Sequence, residues 1–95
     1  MAKQKYIVRG VNSGVFYGEI KERDGVEVTM TNVRRLWYWD GAASLSQLAQ
    51  EGTKKPENCK FTMAVDEILV LDCCEIDICT EQAMKSIDGV EVWRA

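Results

Sequence analysis

The sequence predicts an α+β fold in one small domain: a strongly bent antiparallel sheet, or an open small barrel, of five to six strands with two short helices. Three observations predict it. Runs with alternating apolar and polar residues recur between Tyr6 and Ile78, the period of strands buried on one face. Two segments, around Leu45 and Ala83, space their apolar residues as helices do and begin at Ser or Thr. At Asn32-Val33 the strand alternation slips by one residue, as it does where a β-bulge bends a strand. With 95 residues, the chain can bury one modest core, so residues 1–95 form a single domain.

Each element follows in order. Lys5 to Gly10 reads as a strand with Tyr6 and Val8 on one face and Ile7 on the other. Asn12-Ser13-Gly14 is a turn, and Val15 to Ile20 a second strand. Asp24-Gly25 predicts a tight hairpin turn with positive φ at Gly25. Val26, Val28 and Met30 then alternate with Glu27, Thr29 and Thr31. Beyond the slip, Val33, Trp37 and Trp39 share one side, with Arg34, Leu36 and Tyr38 on the other. Asp40 to Gly52 reads as a helix capped by Asp40, or by Ser44 in a Ser-x-x-Gln capping box, with Gly52 just past its end. Phe61–Val65 is a short strand, and Glu67–Ile78 one strand or two with a kink. Thr80 caps a second helix running to Ile87 and ended by Gly89; Val90–Trp93 reads as a terminal strand.

Composition narrows the chemistry. There is no histidine, which removes Ser-His and Cys-His nucleophile pairs and the commonest general base. The expectation is a protein that is not an enzyme and carries no cofactor and no metal. Net charge is −3 and pI about 4.9, which makes duplex nucleic acid and anionic membranes poor partners. The longest apolar run, Ile68–Leu71, falls far short of the ~20 residues of a spanning helix. Met1-Ala2-Lys3-Gln4-Lys5 leads into a strand without the apolar stretch of a signal peptide, so the expected location is the cytoplasm. Cys59, Cys73, Cys74 and Cys79 fit neither a zinc spacing nor a disulfide in a reducing compartment. Cys74 reads as a small core residue and the other three as incidental thiols.

Charge is unevenly divided: residues 1–56 carry nine Lys/Arg against six Asp/Glu, and residues 57–95 three against nine. One basic and one acidic face favour a homo-oligomer or a charged ligand; solvated strand edges give the same pattern.

One segment concentrates the remaining signal. Arg34, Arg35, Trp37, Tyr38, Trp39, Gly41, Ala42, Ala43 and Ser44 lie within eleven positions. Arg forks suit phosphate or carboxylate, aromatic faces suit a flat ring, and small residues at a helix start offer free N–H groups to an anion. These residues are the candidate ligand- or partner-binding set, for a nucleotide-like small anion or a protein surface. The same residues also suit plain core packing.

Gly14-Val15-Phe16-Tyr17-Gly18-Glu19, and the run from Asn32 through Arg34-Arg35-Leu36-Trp37-Tyr38-Trp39-Asp40-Gly41-Ala42-Ala43-Ser44-Leu45-Ser46-Gln47-Leu48-Ala49, resemble a family of small uncharacterised phage and prophage proteins. Lys55-Pro56, Cys59-Lys60-Phe61, Glu75-Ile76 and Val92-Trp93 extend the resemblance over nearly the whole chain. It implies a phage origin and carries no catalytic residues. The functional expectation is a non-enzymatic phage accessory protein, oligomeric, acting in the host cytosol against a host defence. It would sequester a nucleotide-like signal or dock on a host defence protein. The alternative is a virion or assembly component whose aromatic segment is an intersubunit contact.

Overall fold

A computed structural model describes residues 3–95, so the first two residues of the N-terminal lead-in lie outside it. The order is β1 (Tyr6–Gly10), β2 (Val15–Asp24), β3 (Glu27–Tyr38), α1 (Leu45–Glu51), a 3-10 turn (Pro56–Asn58), β4 (Lys60–Phe61), β5 (Val65–Val70), β6 (Cys73–Ile78) and α2 (Glu81–Asp88). The expected α+β fold is what forms: one antiparallel sheet ordered β4-β3-β2-β1-β6, with β5 also on β3, and not closed into a barrel.

The connectivity forces the curl. β5 pairs with β3 and β6 with β1, which puts them on opposite edges. In a flat sheet four strand spacings would separate them by about 19 Å. Yet only Leu71 and Asp72 join them, a link that spans at most about 11 Å even when extended. The sheet must therefore wrap, and it does so around Val8, Phe16, Val28, Met30, Val33 and Val70. Its outer face over β1, β6 and the adjoining halves of β2 and β3 is covered by the helices. There Ile7, Tyr17 and Leu36 meet Leu48, Ala49, Ala83, Met84 and Ile87. The alternation of Ile7 and Val8, and of Phe16 and Tyr17, thus feeds two cores.

Bulges do the bending. Tyr17 faces Arg34 and Glu19 faces Thr31, so Gly18 alone opposes both Asn32 and Val33. This is the slip seen in the sequence. Asn32 takes φ 47°, unique among the described non-glycine residues in being positive. A Cβ on Gly18 would lie 2.8 Å from the Val33 Cα. Only glycine lets the two strands meet there.

Several boundaries differ from the sequence reading. The hairpin turn is Gly25-Val26, with Asp24 opposite Glu27. Gly25 does have positive φ, 62°, and a glycine at the first turn position is what a type II′ hairpin requires. Val26 is accordingly exposed instead of lying in the strand. The first helix begins at Leu45, because Ser44 accepts the Gln47 N–H; Asp40 accepts the Gly41 N–H and Asn58 Nδ2 instead. Of the two readings of 67–78 the two-strand one forms, with β5 starting earlier at Val65, and Phe61–Val65 splits between β4 and β5. Val90–Trp93 makes a lone parallel bridge, Phe61 to Val92, in place of a strand. Cys74 is exposed while Cys59 and Cys79 are buried, the reverse of the expectation, and all four are free. Among the described residues no helix is long and apolar enough to cross a membrane.

Candidate aromatic binding surface

The second half of β3 sends its residues to three places. Arg34 follows the Asn32 bulge onto the helix-covered face and is buried. Its Nε donates to the Thr62 carbonyl at 2.9 Å and Nη1 to that of Ile87 at 2.9 Å. Nη2 donates to the carbonyls of Phe61 at 3.2 Å and Val90 at 3.0 Å. The guanidinium also lies over the Phe61 ring, 5.6 Å from its centroid. Burial lowers its pKa, and the nearby Asp88 opposes that shift. One charged fork thus ties β4 to the end of α2, adding a donor to the Ile87 carbonyl, which also accepts the Val90 N–H.

Asp88 accepts from Lys5 Nζ at 2.9 Å and from the Tyr17 hydroxyl at 3.0 Å. Burial, then Asp88, pushes the Tyr17 phenol up, so it serves as a neutral donor.

Arg35 points the opposite way. Its guanidinium sits 4.5 Å from the Phe16 ring centroid and donates to the Ser13 carbonyl at 2.6 Å. Nor is the helix start an anion site. The Gly41 N–H is taken by Asp40 and the Ala43 N–H by Gln47 Oε1. Gly41 is small for another reason: a Cβ there would lie 2.4 Å from the Lys55 nitrogen, where the chain returns. Ala42 packs against the helix-side core, and so does Trp39. Trp39 rejoins the Leu36 side because a further register shift lies between Leu36 and Tyr38. The expected joining of both arginines with the helix start into one anion-accepting surface does not occur, since Arg34 is buried on one face, Arg35 turns to the other, and the Gly41 and Ala43 N–H groups are engaged.

Trp37, the extra residue of that bulge, projects outward and is 64 % exposed. Its ring lies parallel to that of Trp93, with centroids 6.5 Å apart and planes within 8°, an offset-stacked distance. Trp93 is 45 % exposed and fixed by its own N–H, which donates to the Phe61 carbonyl at 2.9 Å. Lys60 Nζ stands 5.5 Å from the Trp93 ring centroid. Tyr38 pairs across from Lys60 and is half exposed. A groove of about 310 Å³ runs along Trp93, lined by Thr62, Arg94 and Ala95. A second, of about 390 Å³, lies beside it and carries Glu57 and Glu91. The surface therefore has two stacked rings, a cationic side at Lys60 and Arg94, and an acidic side.

Of the residues singled out from sequence, Trp37 and Tyr38 belong to this surface; Arg34, Arg35, Trp39, Gly41, Ala42, Ala43 and Ser44 do other work. Sequence reasoning missed Lys60 and Trp93. Each reaches Trp37 only through pairing of β3 with β4 and the final segment, which no local spacing encodes.

A family model described as a domain of unknown function, DUF6948, matches residues 3–87. The chain belongs to that family. The matched region holds Trp37, Tyr38 and Lys60, while Trp93 lies beyond it. No curated protein and no solved structure matches the chain.

Proposed function

We propose that this protein is a non-enzymatic binding protein that captures a ring-bearing anion of the nucleotide kind on its Trp37–Trp93 surface. The observation that supports this is a pair of exposed indoles held parallel, with the Lys60 ammonium against one of them. Trp side chains are usually heavily buried in so small a domain, and a rigid exposed pair marks a contact surface. A base stacked on such a platform gains about 1–3 kcal/mol, and a cation beside it can take the phosphate. The remaining reactive groups favour binding over chemistry: burial, then Asp77, pushes the Cys79 thiol up to about 12, and there is no histidine to activate a nucleophile. With its resemblance to phage proteins, the chain suits a role in which it holds a nucleotide-like host signal away from its effector.

The test is a titration with mono-, di- and cyclic nucleotides while following Trp fluorescence. Saturable quenching is expected, abolished in Trp93→Ala. In Lys60→Ala it should be weakened roughly tenfold or more, the loss of one charge-assisted contact. No response to any nucleotide at millimolar concentration, with the protein folded, would overturn nucleotide capture and leave docking on a host protein as the reading of these rings.

A further inference from the structure

A different part of the molecule remains open. Among the described residues β5 has β3 as its one strand partner and β6 has β1, and on the outer side of β6 only the Cys73 N–H is engaged, donating to the Val26 carbonyl at 2.9 Å, so each strand offers most of one backbone side unpaired. Both strands are six residues long, and they diverge from a two-residue link without pairing to one another. Free strand edges are commonly blunted by Lys or Pro; β5 and β6 contain neither. They carry apolar side chains into solvent instead, with Leu69 54 % and Ile78 66 % exposed. Along the gap the inner core is unfinished: Ile68 of β5 and Cys73 and Ile76 of β6 are only partly buried against it. A groove of about 480 Å³ follows the start of β6, between Cys73–Ile76 and the hairpin tip at Val26.

Two of the four carboxylates on these edges have cations beside them. Lys21 Nζ lies 3.4 Å from Glu67 of β5, and Arg9 Nη1 3.9 Å from Glu75 of β6. Half of the like charge on the two edges is therefore offset within the chain.

We infer that β5 of one copy pairs with β6 of the next, so that the protein assembles head to tail through its own sheet edges. The occupant is a second copy because each chain brings both halves of the interface, matched in length and each without a strand partner on its outer side. A pairing that joins two different edges leaves one of each free at the ends of any pair. Assembly continues until it closes on itself or grows. This does not depend on the aromatic surface, which lies on β3, β4 and the final segment.

The experiment compares masses in solution by light scattering for the wild type, Leu69→Lys and Ile78→Lys, with urea midpoints to show that each is folded. Both positions are exposed, so the substitutions alter an edge and not a core; Val65→Lys and Cys74→Lys provide a second pair. The wild type is expected to exceed one subunit's mass at micromolar concentration, and each variant alone to run as one subunit. Mixing the two variants should give two subunits and nothing larger, because each supplies the edge the other lacks. A wild-type monomer would overturn the inference. So would variants that still assemble, a single edge that matters alone, or a mixture that stays monomeric.

Discussion

Arg34 holds its place through four main-chain carbonyls, from Phe61, Thr62, Ile87 and Val90. Carbonyls have no signature in a sequence, so the Arg-Arg pair looked like ligand chemistry when one member is a bracket inside the fold. Removing it leaves the Thr62 and Val90 carbonyls without that donor, while those of Phe61 and Ile87 keep the Trp93 and Val90 N–H groups, and Arg34→Ala should cost about 3–5 kcal/mol in urea unfolding. Arg34→Lys should recover only a small part, since an ammonium cannot span the same fork. An Ala variant within 1 kcal/mol of wild type would contradict the bracket. Asn32 is the opposite case. Its bulge was legible because an error of one in the period of two has few other causes, and the structure places it opposite Gly18.

At the scale of elements, strand and helix cores were readable while their ends were not. The helix start went astray because Asp40 and Ser44 are both good caps, and tertiary hydrogen bonds to Asn58 took Asp40 out of contention. The β2–β3 turn shifted by one residue but kept its glycine. Gly25 has no atom within 4 Å of a would-be Cβ, so any penalty of Gly25→Val comes from backbone strain alone, about 1–2 kcal/mol. An unchanged urea midpoint would contradict the turn.

The edge strand β6 brings its own pH dependence. Asp77 is pushed from its ordinary 3.8 up to about 6, first by burial and then by Glu75. The folded state therefore holds that proton more tightly than the unfolded chain, and stability should fall as pH rises through about 4 to 6. Asp77→Asn should flatten that slope. Asp72, which accepts from Asn12 and Ser13, is lowered chiefly by the Ser13 hydroxyl. Its contribution has the opposite sign and is lost as acid protonates it below the usual carboxylate range.

For the molecule as a whole, the α+β class and the curled sheet were legible because they follow from alternation, one bulge and short connections. The candidate surface was half legible: Trp37 and Tyr38 stood out, whereas Lys60 and Trp93 come to them through long-range pairing. The thiols belong at this scale too, since none cross-links one part of the chain to another. Adding reductant should leave the melting temperature within about 5 °C, on the order of 1 kcal/mol for this size. Thiol labelling should reach exposed Cys74 first and buried Cys79 last.

The four-carbonyl cradle of Arg34 also sets a timetable. Two of its acceptors, Ile87 and Val90, are translated more than fifty positions after the arginine itself. Until Val90 has cleared the ribosome, burying Arg34 would strand a charge without its full set of partners. The β2–β3 hairpin can form early, because its contacts are local. Docking of the helix layer on that hairpin must wait. A growing chain will therefore show its apolar strand faces to chaperones until the segment through Val90 has emerged and can close over them.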